Sequence, residues 1–258
     1  MKNAIIYTIV FALIQIFTSL TFAFVNRLMG VDGKQMTPGI LIASSVVASV
    51  IIVGVFCLLR WAKPTRQYML SRPWTVIAWS IVAAVGCVIP SMWLMEQIPE
   101  LPNVSGQQLN DMMMNRGGYL AICLLAPLAE ELVFRGAVLR ELLAWMPERK
   151  WLMIGVSAVI FSVIHFNPAQ MPYAFATGLL LGWMYERTGS IAPGIAFHWT
   201  NNTIAYLMFR AYPDPSLKLV DILSGDQCAV VFAVLFSLLI VLPAVYQLYL
   251  NMKRPSIS

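Results

Sequence analysis

The sequence predicts an all-α, polytopic bundle of about eight membrane-spanning helices, and three observations carry that prediction. Of 258 residues, 59% are apolar and 11% are charged, against roughly 45–50% and 25% in an average soluble domain. Apolar runs near the ~20 residues that a hydrocarbon core requires recur along the whole chain. The Lys and Arg residues collect mostly in every second connection between those runs. The same composition excludes a water-soluble globule. With 15 Gly and 15 Pro and no period among them, it also excludes a fibrous or disordered chain. The +5 net charge is scattered through short connections and forms no basic stripe with interleaved aromatics, so no nucleic-acid partner is expected.

The eight runs, read as one integral membrane domain over residues 1–258, are Ala4 to Phe24, Pro38 to Leu59, Trp74 to Leu94, Tyr119 to Leu143, Trp151 to Phe166, Met171 to Glu186, Ile191 to Phe209 and Cys228 to Leu250. The first is read as a retained span and not a signal peptide, because it lacks a small-residue cleavage site and has only Lys2 before it. The fifth and sixth are short, which predicts tilted, re-entrant or shielded helices and makes seven spans the fallback count. Eleven Lys and Arg fall on the side of the N-terminus (Lys2, Arg60, Lys63, Arg66, Arg72, Arg140, Arg149, Lys150, Arg187, Lys253 and Arg254) and five on the other (Arg27, Lys34, Arg116, Arg210 and Lys218). Both termini are therefore expected in the cytoplasm.

Other features read as architecture. Cys57, Cys87, Cys123 and Cys228 lie in or at the ends of apolar runs with no CxxC pair, and read as packing residues. Ala174, Gly178 and Gly182 repeat every four residues, which permits close approach of another helix. The longest polar stretch, Glu96 to Gly118, is a lid or a connector, with Ser105 and Gln108 as a candidate cap of a short interfacial helix.

Ionisable groups inside spans are costly, about 2.5–3.5 kcal/mol each on insertion scales, and so are functional candidates by default. Glu130, Glu131 and Arg135 lie within the fourth run, and the only two histidines, His165 and His198, lie in the fifth and seventh, with Asn201 and Asn202 nearby. Glu131 and Arg135 are four residues apart and share a helix face, so they can neutralise each other. Glu130 points about 100° away and is left free to react. Pro127 removes an N–H just upstream and favours a kink that shapes a polar cavity. His198 and Asn202 are also four apart, on a helix that Pro193 is placed to begin. Taken singly, the acid–base cluster fits a structural charge network or an ion path, His165 a helix-end cap, and Asn202 interhelical glue. Together they point to chemistry in the membrane.

Three segments, Glu130-Glu131-Leu132-Val133-Phe134-Arg135, Phe161-Ser162-Val163-Ile164-His165 and His198-Trp199-Thr200-Asn201-Asn202, resemble the EExxxR, FxxxH and HxxxN motifs of the CPBP/ABI family. These are the CAAX prenyl endopeptidases and bacteriocin-processing intramembrane proteases. The resemblance covers the motif-bearing core, residues 119–210. It implies hydrolysis of a peptide bond of a membrane-associated protein or peptide by a glutamate-activated water. Glu130 and His165 would activate the water, His198 and Asn202 would stabilise the oxyanion, and Glu131 with Arg135 would support the site. No cofactor is favoured, since HExxH is absent and Asn202 is a poor zinc ligand but a good oxyanion donor. If zinc were used, Glu130, His165 and His198 would be its ligands. Expected partners are the bilayer and a peptide or membrane-protein substrate, and the expected location is a bacterial cytoplasmic membrane. Rival readings are a non-catalytic scaffold or immunity protein on the same fold, and a small proton-coupled transporter.

Overall fold

The computed structural model describes residues 1–30, 36–62, 66–214 and 216–253. Lys34, Lys63 and Arg254, three of the cations used to orient the chain, lie outside the described residues. Every described element is helical: α1 (Lys2–Leu28), α2 (Pro38–Leu58), α3 (Arg66–Leu70), α4 (Trp74–Glu96), α5 (Gly106–Met114), α6 (residues 119–145), α7 (Lys150–Val163), α8 (Met171–Thr188), α9 (Ala192–Ala211), α10 (Leu219–Ile222) and α11 (Gln227–Asn251), with one 3-10 turn at Pro147–Arg149. Each of the eight expected runs is a long helix. Four of them, α1, α2, α4 and α11, are long and apolar enough to cross a membrane by length and composition. The 14 residues of α7 rise only about 21 Å at 1.5 Å each, short of the ~30 Å hydrocarbon thickness.

α6 is the axis of the molecule, and all nine residues from Glu131 to Leu139 are buried. Phe134 packs edge-on against Phe11 of α1 (ring centroids 5.0 Å apart) and against Phe161 of α7 (5.3 Å). A second apolar cluster joins Ala83 and Ala84 of α4, Leu181 and Met184 of α8, Phe197 of α9 and Leu248 of α11. α7 and α8 approach closely because Gly178 and Gly182 carry no side chain. A Cβ at Gly178 would sit 3.0 Å from that of Ala158, and one at Gly182 would sit 2.9 Å from the Ile154 side chain. The outer faces of α1 and α11 expose Phe17 (65%) and Phe236 (64%), a surface suited to lipid.

Contacts at the helix ends fix the up-and-down order. At one end Asn3 donates to Glu141 (3.1 Å), Tyr7 stacks near Trp61 (4.9 Å), Lys150 pairs with Glu186 (3.3 Å), and Arg187 donates to the Tyr249 carbonyl (3.1 Å). At the other end the Thr37 amide donates to Asn26 (3.3 Å), the Leu219 amide to Glu96 (2.7 Å), and Arg210 to the Met114 carbonyl (2.6 Å). The starts of α1 and α7 and the ends of α2, α6, α8 and α11 therefore share one end of the bundle.

The polar stretch after α4 does form the short helix α5, but Ser105 makes no capping hydrogen bond to it. The Ser105 hydroxyl instead accepts from Asn167, 62 residues away, so a tertiary partner has displaced the local one. The turn from α5 into α6 depends on Gly118, where a Cβ would run into the Met112 carbonyl. Gly118→Ala is expected to push α5 off the bundle at a cost of about 1–3 kcal/mol. The check is a lower melting temperature in detergent, with faster proteolysis confined to residues 97–118.

Candidate active site

The helix that carries the first motif is not a regular α-helix. α6 is π-helical over Tyr119–Leu125, α-helical over Ala126–Glu130, π-helical again over Glu131–Leu139 and α-helical over Arg140–Trp145. In the first π stretch the Ala126 amide donates to the Ala121 carbonyl, five residues back. In the same register the Ile122 carbonyl would take its proton from residue 127, which is proline and has none. That carbonyl is satisfied across the bundle by the Asn202 amide at 3.0 Å. Pro127 thus creates a vacant acceptor within the bundle, and Asn202 fills it.

Arg135 donates to Glu131 Oε1 at 2.8 Å, with side-chain exposures of 1% and 0%. The guanidinium also lies 4.2 Å from the centre of the Phe161 ring and reaches the Gly178 carbonyl at 3.4 Å. Glu131 Oε1 is shared with His198 Nδ1 at 3.3 Å. Its other oxygen, Oε2, is buried without a hydrogen-bond partner among the described residues. That oxygen faces Gly194, where a Cβ would approach to 2.7 Å, so the start of α9 is moulded to the carboxylate.

The Glu131 carboxylate can only accept, so His198 Nδ1 carries the proton of that bond and Nε2 is turned toward Glu130, 3.8 Å from its Oε2. Glu130 therefore has a partner on another helix, beyond what spacing along α6 reveals. His165 lies just past the end of α7, not within the span expected for it. Its Nδ1 bonds the Phe161 carbonyl at 2.7 Å, which leaves Nε2 available. The chain reverses immediately afterward through Phe166 at φ 49°, a left-handed conformation that a bulky residue adopts only where its surroundings impose it. Two tertiary ties hold this turn. The Ser162 hydroxyl donates to the Met171 carbonyl (2.7 Å). The fully buried Asn167 accepts from the Val104 amide (3.1 Å) and donates to Asn103 (2.8 Å) and Ser105 (3.0 Å).

Glu130, His165, His198 and Asn202 all line one cavity of about 620 Å³, whereas Glu131 and Arg135 sit behind its wall. The remaining lining is largely apolar and includes Met92 of α4, Leu109 and Met112 of α5, and Met208 of α9. Two residues with no motif role share the wall. Tyr173 donates to Asn201 Oδ1 at 2.5 Å, and Asn201 Nδ2 reaches Asn202 Oδ1 at 3.4 Å. This chain of bonds fixes which way the Asn202 amide faces. The sequence offers no signal for Tyr173, because a tyrosine near a span end reads as an interfacial anchor. The Cys123 thiol lies 3.4 Å from the Asn202 carbonyl. As for zinc, no three His, Cys, Asp or Glu side chains among the described residues gather as a metal-holding group.

The Glu131–Arg135 pair yields a stability prediction. Glu131→Gln leaves a buried guanidinium without its counter-charge and is expected to cost about 3–5 kcal/mol. The double variant Glu131→Gln/Arg135→Met removes the stranded charge and is expected to recover most of that loss. Melting temperatures of the three proteins in one detergent check both statements.

No curated protein and no solved structure matches the chain. Residues 115–204 match the family model described as "Type II CAAX prenyl endopeptidase Rce1-like". The three motifs at Glu130, Phe161 and His198 all fall within that stretch, and over it the chain is similar to the same CPBP/ABI family that those motifs resemble.

Proposed function

We propose that this protein is a CAAX-type intramembrane endopeptidase that spans the bilayer about eight times, with both termini in the cytoplasm, and uses a glutamate-activated water. The observation that carries the reading is the meeting of Glu130, His165, His198 and Asn202, from three separate helices or their ends, on one mostly apolar cavity. A peptide bond brought into such a cavity leaves bulk water, and fixed donors act more strongly there than in solvent.

In this mechanism a water lies between the Glu130 carboxylate and His165 Nε2, each accepting one of its hydrogens. Glu130 takes a proton as the oxygen attacks the scissile carbonyl carbon. The carbonyl π bond opens and its oxygen becomes the oxyanion of a tetrahedral intermediate. The second amide hydrogen of Asn202, the first being committed to the Ile122 carbonyl, donates to that oxygen. His198 contributes a second donor when its Nε2 is protonated, the state in which one imidazolium nitrogen faces Glu131 and the other faces Glu130. Collapse of the intermediate breaks the C–N bond, and Glu130 returns its proton to the leaving nitrogen. Glu131, held by Arg135, fixes the His198 ring and takes no part in proton transfer to the water.

The two adjacent glutamates are therefore expected to separate on substitution. Glu130→Gln keeps shape and hydrogen bonding and should melt like the wild type, while cleavage falls by a factor of about 10²–10⁴ or more. The check is cleavage rate and melting temperature measured on the same detergent-solubilised samples. If Glu130→Gln cleaves at the wild-type rate while Glu131→Gln is folded and inactive, the two roles are reversed. If both cleave, the cluster is not the catalytic centre.

The reading uses no metal. Activity is expected to survive prolonged chelation, and the purified protein is expected to carry no stoichiometric zinc by elemental analysis. Loss of activity on chelation, with recovery on adding zinc alone, would replace this mechanism with a metal-assisted one.

A further inference from the structure

Among the described residues, connections at only one end of the bundle line the cavity, which also takes in Glu130 and His198. From there its wall runs through Met112 on α5 and Tyr212 just past α9 to Asp214 and Leu217 in the connection toward α10. All four of these outer positions belong to the end where Arg210 binds Met114 and Glu96 binds Leu219. Among the described residues, none of the lining comes from the connections 59–73, 146–149 or 189–191, which lie at the end shared by both termini.

The two ends also differ in charge. Among the described residues, the end with the termini has nine Lys and Arg against three acids (Glu141, Glu148 and Glu186), whereas the cavity end has four against six. In short-looped membrane proteins the Lys- and Arg-rich side is the cytoplasmic one. The Asp214 side chain at the mouth accepts from both the amide and the hydroxyl of Ser216, at 2.9 and 2.6 Å. These bonds hold its carboxyl below the usual carboxylate range, so the mouth keeps a fixed negative charge.

We infer, building on the protease reading above, that the cavity opens on the non-cytoplasmic face and that its substrates are polypeptides presented from that face. They would be exported or surface-anchored chains carrying an apolar segment, in place of the tails of cytosolic proteins. The apolar wall accepts the segment, and the acidic mouth tolerates or favours basic residues beside it.

Two measurements on the full-length protein test this, one independent of activity. In a chain whose four cysteines are replaced by alanine, Asp214→Cys and Glu148→Cys are exposed separately to a membrane-impermeant maleimide on intact spheroplasts. Lys218→Cys and Lys253→Cys serve as a second pair should either variant fail to insert. Asp214→Cys is expected to label directly, and Glu148→Cys only after permeabilisation. The reverse pattern overturns the inference. The second measurement compares new peptide termini in membranes carrying the wild type or Glu130→Gln. Termini formed only by the wild type are expected in non-cytoplasmic segments, and their occurrence in cytoplasmic segments overturns the substrate assignment. If Asp214→Cys labels from outside but no wild-type-specific terminus exists, the orientation stands and the protease reading, with its substrates, falls.

Discussion

Arg135 is the group around which the site is organised. A guanidinium at 1% exposure within apolar helices is tolerable only if nearly every contact it makes is favourable, and its surroundings explain several letters of the motifs at once. Glu131 supplies the counter-charge, and Phe161 supplies the ring face on which the cation lies. The Gly178 carbonyl is within reach because α8 can press against α7 where side chains are absent. The carboxylate that neutralises Arg135 is the same one that fixes His198. An arrangement required by electrostatics thus sets the direction of an imidazole on a third helix.

Much of this was legible in the sequence, for physical reasons. Apolar run length marked all eight long helices, and the fourth-residue spacing of Glu131 and Arg135 predicted their pairing, which survives even though α6 is π-helical there. The π stretches themselves were not legible. Pro127 signals a local disturbance, but whether it kinks the helix or widens it depends on who satisfies the freed Ile122 carbonyl, and Asn202 lies 80 residues away. His165 looked helical because it lies near the end of a mostly apolar run from Trp151 to Phe166. The reversal at Phe166 is imposed by distant contacts of Ser162 and Asn167. Tyr173 was hidden for the same reason, since its importance lies in Asn201, a partner that only the packed bundle brings to it. Ser105 shows the converse, a sound local signal outcompeted by a tertiary bond.

The division between wall and backing gives the cavity its character. The two histidines and Asn202, which face the space, are each held on one side by a fixed partner and present another polar atom to the cavity. Such half-satisfied groups are costly in a core that excludes water, and the molecule gathers them at one spot. Most of the remaining lining is methionine and other apolar side chains, which adapt to varied shapes.

The bonds of Asn167 join the rim of the cavity to the turn that carries His165. The segment leading into α5 is tied through Asn103, Val104 and Ser105 to a residue two positions beyond the imidazole, and the Ala169 amide adds a further tie to the Pro102 carbonyl at 3.2 Å. Rim and histidine therefore move as one mechanical part. Whatever lifts α5 from the bundle loads the turn that carries the imidazole, so a disturbance at the rim is felt at His165 without any direct contact to it.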